Sequence, residues 1–334
     1  MNAAGSNAPP PKWLRHELIR HESPVCCDGG VFESAVIAAQ GEFNEALVSW
    51  NVDSPADAGF CVELRVGRQR DNYWTPYLYL GDWGPAPPAG PRMVECAAGR
   101  VDVDIFRSDQ RFDRAQYRFR ASSTGGQAAE PSIRCVVMCL SERTDIRRCP
   151  SAAAPMAAIQ PGRLPVPFRS QLAADPALSP RICSPTSLAM VLQYRGVDLP
   201  TEVVAAACHD PTHDIYGNWP RNIQAAYSLG VPGYLARFLD WDTVAAMIAA
   251  GQPLIASINF SDTGALTGAP YATTGGHLLV LCGFDACGDV QVNDPAAATA
   301  RQGCTVYRRQ ELERVWLQAS GGVAYVLLPP EQRD

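Results

Sequence analysis

Hydrophobic and polar residues alternate along most of the chain from Val31 to Leu140. A period of two buries one face of a strand and leaves the other face in water. Turn-forming residues separate the alternating runs at Gly84–Pro91 and Ser122–Gly126, and no helical period interrupts them. The pattern therefore predicts an all-β domain built as an antiparallel β-sandwich. The clearest runs are Phe60–Val66, Val101–Ile105 and Tyr117–Arg120.

The periodicity changes after Ser170, where helices are predicted before strands. Pro185 near the start of the first helix, Gly196 after its end and Asp240 as N-cap of the fourth are helix boundary signals. This order of elements predicts an α+β domain. The predicted helices are Ser184–Tyr194, Pro200–Cys208, Pro220–Ser228, Trp241–Ala250 and Arg309–Gln318; the predicted strands are Pro253–Phe260, His277–Phe284, Val290–Asn293, Cys304–Tyr307 and Val323–Leu328.

The chain has 334 residues, which is enough for two domains, and prolines mark the boundary between them. Pro150, Pro155, Pro161, Pro165 and Pro167 lie among alanines and arginines, and proline at this density blocks helices and central strands. We predict a loose N-terminal arm over residues 1–24, a β-sandwich domain over 25–145, a Pro-rich linker over 146–168 and an α+β domain over 169–334.

Composition excludes several classes of protein. Hydrophobic residues make up 47% and charged residues 19%, as in ordinary globular proteins and unlike disordered chains. The net charge of −6 offers no basic surface for a nucleic acid. No apolar run approaches the roughly 20 residues that cross a bilayer, and no apolar signal segment follows the N-terminal charges. The sequence as written predicts a cytoplasmic protein, with export left open.

Cys183 stands where the first predicted helix begins. Unpaired amide N–H groups and the helix dipole favour an anion at that end. A thiol there has a lowered pKa and a larger thiolate fraction near neutral pH. A cysteine that merely caps the helix would look the same. None of the twelve cysteines forms a CxxC pair, which argues against zinc ribbons and redox motifs.

His277 and Asp294 are candidate partners of this thiol. His277 opens a buried run after Gly275-Gly276, and Asp294 ends the next predicted strand. Antiparallel pairing of these strands would bring both residues to the same end of the ladder. Taken singly, His277 could be a satisfied core residue and Asp294 part of an Asn-Asp-Pro turn. Together with Cys183 they supply the nucleophile, base and orienting acid of nucleophilic acyl transfer, and Gln171 could donate a side-chain N–H to an oxyanion.

Four stretches of the second domain resemble the papain-like cysteine peptidases of the bacteriocin-leader-processing type, in particular their stand-alone "C thirty-nine-like" branch. The resemblance covers residues 166–329, about half of the chain. It implies a papain-like fold with Cys183 as nucleophile, His277 as general base, Asp294 as orienting acid and Gln171 as oxyanion-hole glutamine. The stretches are Val166–Gln171, Cys183–Leu192, Gly275–Leu281 and Val292–Ala296.

Two departures from the family pattern lie beside the nucleophile. Gln171 precedes Cys183 by more residues than is usual in the family, and Ser184 stands where members carry glycine. We expect the additional residues, Leu172–Pro180, to loop out.

The expected function is hydrolysis of a peptide or isopeptide bond in a peptide or protein substrate, without a metal or cofactor. An amidase, a transglutaminase-like enzyme or an acyltransferase would use the same three groups. A third possibility is a catalytically inert module that binds a glycan or a protein, which an unreactive Cys183 would indicate.

Three further features have open interpretations. Trp219, at the start of the third helix, is either a substrate-binding cleft wall or a core residue. His209 and His213 have the spacing of metal ligands on a helix, but Pro211 breaks the helix between them, so a polar loop is favoured. Six aromatic residues of the first domain could contact a glycan or pack in its core: Trp50, Tyr73, Trp74, Tyr77, Tyr79 and Trp83.

Overall fold

A computed structural model describes residues 14–21, 25–26, 30–85, 87–123, 131–143 and 160–330. Much of the predicted arm and of the Pro-rich linker lies outside these residues. The described parts of both segments are ordered on sheet edges. Leu14–His21 pairs with a neighbouring strand, and Gly162–Arg163 pairs with another. Backbone hydrogen bonds to a sheet edge order such stretches without a strong apolar period.

Within the described part of the chain, the first sheet contains eleven strands. They are β1 (Leu14–His21), β2 (Val25–Cys26), β3 (Val31–Glu33), β4 (Ile37–Asp53), β5 (Ala58–Arg68), β6 (Tyr73–Trp74), β7 (Leu78–Trp83), β8 (Glu95–Cys96), β9 (Gly99–Asp102), β10 (Ile105–Ser123) and β11 (Ser132–Arg143).

Strand β10 connects the two halves of this sheet. Its first half pairs with β4, which in turn pairs with β11, whereas its second half pairs with β5. Side chains from both halves form a single apolar core, which includes Phe43, Trp50, Phe60, Phe112 and Met138. The first domain therefore has the layered all-β architecture that alternation predicts, although hydrogen bonds join both halves into one continuous sheet.

The second domain contains a seven-stranded antiparallel sheet and six α-helices in its described residues. Its strands are β12 (Gly162–Arg163), β13 (Gly233–Arg237), β14 (Leu254–Phe260), β15 (Thr274–Phe284), β16 (Val290–Asn293), β17 (Cys304–Tyr307) and β18 (Val323–Leu327). Its helices are α1 (Cys183–Tyr194), α2 (Thr201–Cys208), α3 (Trp219–Ser228), α4 (Trp241–Ala249), α5 (Ala300–Gly303) and α6 (Arg309–Leu312), and a π-helical turn at Glu313–Gln318 continues α6.

This second sheet separates two apolar layers. Helices α1, α2 and α3 pack on one face, where Ile255, Val280 and Tyr325 point towards them. Helix α4 and the π-helical turn pack on the other face, on Leu279 and Val326. Alternate residues of β14, β15 and β18 thus serve opposite layers, as the alternation of side chains along a strand requires.

The two domains meet along β4. Leu47 of β4 belongs to the apolar layer of the second domain. Asn51 exchanges two hydrogen bonds with the backbone of Gly233, at 3.0 and 3.1 Å, and Gln224 of α3 exchanges two with the backbone of Val52, at 2.8 and 2.9 Å. Each side-chain amide therefore makes the pair of bonds that a neighbouring strand residue would make, and it fixes one domain on the other.

The fold class is as predicted: a papain-like α+β domain preceded by an all-β domain. The predicted helices and strands of the second domain are present, with ends that differ by a few residues. Strand β13 was not predicted, and the run Val101–Ile105 is interrupted because Val103 lies in a turn between β9 and β10. Among the described residues, no helix is both long and apolar enough to span a membrane.

Candidate active site

Cys183 is the first residue of α1. A 3-10 turn at Ser179–Arg181 leads into it, and the helix continues through nine consecutive buried residues, Ser184–Leu192. The backbone N–H groups of Ser184 and of Leu278 on β15 donate to the sulfur. The helix start therefore presents the thiol to the sheet with polar hydrogens around it, the environment that stabilises a thiolate.

Ser184 occupies the position where the resembling family carries glycine, and its hydroxyl has partners in the core. Its Oγ lies 2.9 Å from the Tyr325 hydroxyl and 2.6 Å from Nδ2 of Asn222, which donates to it. All three residues are buried. Because a buried hydroxyl costs free energy unless it is hydrogen-bonded, this network explains how serine is accommodated there.

His277 and Asp294 are brought together by the pairing of β15 with β16. Val280 lies opposite Asn293 in this antiparallel ladder, so Asp294, which follows β16, reaches back towards His277. Nε2 of His277 lies 2.8 Å from Oδ1 of Asp294, and both side chains are buried. The sequence prediction that these two residues share one end of a hairpin agrees with this geometry.

The His277 ring also hydrogen-bonds the Cys183 thiol. Since Nε2 is occupied by Asp294, the nitrogen available to the thiol is Nδ1. Burial raises the pKa of Cys183, but the hydrogen bond and charge of His277 and two backbone N–H groups outweigh it, so the pKa lies below its ordinary value. Burial lowers the pKa of His277, but Asp294 and Cys183 raise it to about 10. These opposite shifts favour a thiolate beside an imidazolium.

Two tyrosines that sequence reasoning missed complete the surroundings of Asp294. The hydroxyls of Tyr271 and Tyr307 each donate to Oδ2 at 2.8 Å, while the backbone N–H of Ala296 donates to Oδ1 at 3.0 Å. The Tyr271 ring also packs on the His277 ring, with centroids 4.7 Å apart. Burial raises the pKa of Asp294, but the donors, His277 first, outweigh it and hold the pKa below its ordinary value.

The backbone of Gln171 lies beside the segment that carries Asp294, but its side-chain amide points to the loop before α1. Its backbone N–H donates to the carbonyl of Pro295, next to Asp294, at 2.9 Å. Its side-chain Nε2 donates to the carbonyl of Ser179, also at 2.9 Å. Residues 172–180 contain two 3-10 turns, in keeping with the expected loop, and Gln171 closes this loop at its base.

A cleft of about 760 Å³ opens beside Cys183, and both domains line it. The second domain contributes Trp219, the cleft-wall candidate, which also packs on the apolar layer behind it. Gly275 and Gly276 border the cleft as well, and a side chain added at either would meet no atom within 4 Å. The backbone beside His277 is therefore open to an approaching chain.

The first domain contributes the turn between β9 and β10 to the same cleft. Val103 in this turn has φ of 59°, a left-handed conformation that is strained for a β-branched residue. Asp104 beside it is buried, and its Oδ2 accepts from the backbone N–H of Trp219 at 2.8 Å. One hydrogen bond thus ties the two walls of the cleft together.

The two candidate metal ligands each pair with an aspartate. Nε2 of His209 lies 3.0 Å from Asp214, and Nδ1 of His213 lies 2.8 Å from Asp210. In the part of the chain that the structure describes, no group of three or more His, Cys, Asp or Glu side chains is arranged to hold a metal ion.

The aromatic residues of the first domain are largely occupied by packing. Trp50 and Tyr79 are buried. Guanidinium groups lie over the rings of several others, with Arg65 4.8 Å from the centroids of Trp74 and Tyr77. Arg68 covers Tyr73, and Arg221 of the second domain covers Trp83. Cation–π contacts therefore cover one face of rings that a glycan would need.

Comparison with known proteins gives two family matches. Residues 163–324 match the Peptidase_C39 like family, and residues 26–141 match the Peptidase C39 N-terminal domain. No curated protein matches the chain.

Several solved structures are similar to part of the chain, among them two peptidases. One is a double glycine motif protease from an AMS/PCAT transporter in complex with the leader peptide, 24% identical, covering 52% of this chain and 99% of that chain with a TM-score of 0.34. The other is a putative C39-like peptidase from Bacillus anthracis, 20% identical, covering 52% of this chain and 100% of that chain with a TM-score of 0.39.

The fold and the family matches define a cysteine-type peptidase with an all-β domain in front of its papain-like domain. Residues 163–324 are similar to the Peptidase_C39 like family, and residues 26–141 are similar to the Peptidase C39 N-terminal domain.

Proposed function

We propose that this peptidase hydrolyses a peptide bond of a polypeptide substrate, with Cys183 as nucleophile, His277 as general base and Asp294 as the acid that orients the imidazole. The observation that supports this assignment is the hydrogen-bonded series from the thiol through the ring to the carboxylate, at the edge of a cleft. The shifted pKa values favour a thiolate and an imidazolium before substrate binds.

The chemistry follows from these positions. The thiolate attacks the substrate carbonyl carbon and forms a tetrahedral intermediate, whose oxyanion is stabilised by the backbone N–H of Cys183. We also propose Gln171 as the second donor to this oxyanion, since its amide carries two hydrogens and uses one on Ser179. The His277 imidazolium then protonates the leaving amine, and water, deprotonated by His277, hydrolyses the thioester.

The acyl acceptor separates hydrolysis from the transferase alternative, because the same thioester forms in both. We expect water to resolve it, so that the products carry a free carboxyl group. Mass spectrometry of the products with and without an added primary amine measures this directly. An amide product that dominates at millimolar amine would assign the enzyme to acyl transfer.

The experiment that tests the nucleophile is the alkylation rate of each cysteine against pH, with the modified peptides mapped by mass spectrometry. Cys287 and Cys304 are exposed and serve as internal references for an accessible thiol. We expect alkylation of Cys183 to persist at pH 6, because its pKa lies below the ordinary value, and to be much faster there than alkylation of the reference thiols. Replacement His277→Ala should remove this difference.

Peptide cleavage provides the second readout of the same proposal. Cys183→Ala should abolish turnover, while Cys287→Ala should leave it unchanged. A Cys183 thiol whose alkylation follows the reference thiols at every pH, or cleavage that survives Cys183→Ala, would refute the assignment.

A further inference from the structure

We propose that the cleft contains a carboxylate-binding subsite formed by Arg107, Arg143 and Arg237, so that preferred substrates carry an acidic group. This inference rests on the proposed function, since it concerns the substrate of the same cleft. It gives the first domain a direct part in recognition, because β10 and β11 of that domain provide two of the three arginines.

All three guanidinium groups surround a single buried carboxylate. Arg237 donates through Nη2 to Oε1 of Glu45. On the other oxygen, Oε2, Arg107 donates through Nε at 3.1 Å and Arg143 donates through Nη1 at 3.4 Å. Glu45 is only 2% exposed, and all three arginines line the cleft that also contains Cys183.

Positive charge exceeds negative charge in this cluster. Glu45 supplies one negative charge against three guanidinium groups. Asp102 also accepts from Arg107, at 3.0 Å, but it is shared with Arg100 at 2.6 Å, so it does not neutralise the remainder. Burial lowers the pKa of Arg143, and repulsion by Arg237 and Arg107 adds to this while Glu45 opposes it. An additional anion would therefore be stabilised at this position.

The cluster also retains hydrogen-bond donors. The Arg237 side chain is buried, with only 2% of its surface exposed. Its Nε has no hydrogen-bond partner among the described residues. Among the described residues, the Arg143 guanidinium donates only to Glu45, and its side chain is one third exposed. A buried, unpaired guanidinium donor carries a free-energy cost that a ligand oxygen would relieve. The sites on Arg143 are accessible from the cleft.

The chemistry of these groups selects the ligand. The planar guanidinium fork matches the two oxygens of a carboxylate. In a peptide substrate this group is either an Asp or Glu side chain or the C-terminal carboxylate. Both sources share the same recognition chemistry, and matched peptides distinguish them.

The test measures peptide binding to the Cys183→Ala protein, so that no cleavage is needed. A fluorescent peptide series places Glu or Gln at each position in turn, and each peptide is made with a free or an amidated C-terminus. We expect at least one Glu position, or the free C-terminus, to bind about tenfold tighter than its neutral partner. This preference should shrink as salt rises, since Arg107 and Arg143 are partly exposed.

Variants of Arg143 test whether this arginine causes the preference for acidic peptides. In the same background, Arg143→Gln should bring binding of the acidic peptide down to that of the neutral one, and Arg143→Glu should favour a Lys-containing peptide instead. The matched control is Arg70→Gln, since Arg70 is an exposed arginine of the first domain, paired with Glu42 away from the cleft. It should leave the preference unchanged. Thermal melting shows whether each variant is folded.

Two results would overturn the subsite: equal binding of all acidic and neutral partners, or a preference that folded Arg143→Gln and Arg143→Glu proteins both retain. Neither result depends on Cys183. Failure of the proposed catalytic function would instead appear as an ordinary pH dependence of Cys183 alkylation in the otherwise unaltered protein.

Discussion

The Asp294 carboxylate accepts four hydrogen bonds from described residues, and two of them come from tyrosine hydroxyls on separate segments of the chain. Both phenols bind Oδ2, which leaves Oδ1 for His277 and for the backbone. The carboxylate is therefore held in one rotation, with its other oxygen directed at the imidazole. Tyr271 and Tyr307 act through Asp294, so they are positioning residues.

Replacement Tyr307→Phe should weaken catalysis through His277. Loss of one donor raises the pKa of Asp294. The weaker carboxylate stabilises the His277 imidazolium less, so the pKa of Cys183 should rise. We expect kcat to fall about tenfold and the acid limb of Cys183 alkylation to move to higher pH. The matched control is Tyr194→Phe, which removes a hydroxyl that donates to Gly251. If both variants leave that acid limb in place, Tyr307 has only a structural role.

The residues of the proposed triad could be proposed from sequence because the residues next to each one mark its structural position. Cys183 precedes a helix, His277 follows two glycines, and Asp294 ends a strand before proline. No neighbouring residues mark the two tyrosines in this way. They lie 23 and 13 residues from Asp294 along the chain, and only the fold brings their hydroxyls to one oxygen.

Asp104 makes stability depend on pH. Burial raises its pKa to about 7, although the Trp219 N–H, Arg107 and His213 oppose this. The unfolded chain loses this proton near pH 4, so the folded state binds more protons between about pH 4 and 7. Stability from this group is therefore complete below pH 4 and is lost as the pH rises through 7.

The variant Asp104→Asn isolates this effect, because asparagine can still accept from Trp219. We expect the free energy of unfolding to fall from pH 4 to 8 more steeply in the unaltered protein, by up to about 4 kcal/mol. Urea unfolding at several pH values measures it. Parallel curves for the two proteins would mean that Asp104 ionises normally.

At the scale of elements, the turn between β9 and β10 departs most from its sequence pattern. Alternation placed Val103 on the buried face of a strand, yet it is 42% exposed with a positive φ. The hydrogen bond from Trp219 to Asp104 and the ladder of β9 with β10 hold the turn in this shape. Tertiary contacts have therefore overridden a local preference.

Replacement Val103→Asn should stabilise the protein. Asparagine tolerates the left-handed region, whereas a β-branched residue there costs on the order of 1 kcal/mol. We expect the free energy of unfolding to rise by about 1 kcal/mol. Val306→Asn is the control, since Val306 is similarly exposed but lies within β17. An equal response of both variants would show that the turn is unstrained.

Strand β13 escaped prediction for a related reason. Its sequence, Gly-Tyr-Leu-Ala-Arg, is short and mixes small and charged residues, so no alternation stands out. In the fold it pairs with β18. The N–H of Leu235 donates to Oγ of Ser49, and the carbonyl of Gly233 accepts from Nδ2 of Asn51; Ser49 and Asn51 both belong to the first domain. Helices of the second domain carry caps and periodicity of their own, which is why they could be predicted.

For the molecule as a whole, the contacts along β4 predict that both domains unfold together. Gln224 is fully buried and makes both backbone hydrogen bonds of Val52. Gln224→Ala leaves a buried N–H and a buried carbonyl unpaired, at about 1–3 kcal/mol each. We expect the free energy of unfolding to fall by about 3 kcal/mol.

Urea unfolding, followed by tryptophan fluorescence and by circular dichroism, measures this change. The exposed Gln302→Ala should alter stability by less than about 0.5 kcal/mol. A Gln224→Ala protein as stable as the Gln302→Ala protein would show that the domains are held by other contacts.

Strand β18 has a consequence for the order of synthesis. It lies between β13 and β14, although it follows Asp294 along the chain. During synthesis, all three residues of the proposed triad therefore leave the ribosome before β18, which completes the sheet. We expect a shortened chain that stops at Ser320 to show no rapid Cys183 alkylation, and a rapid reaction would contradict this. A growing polypeptide that still lacks β18 is thus expected to hold Cys183 without the partners that activate it, so that catalysis begins only once this strand has joined the sheet.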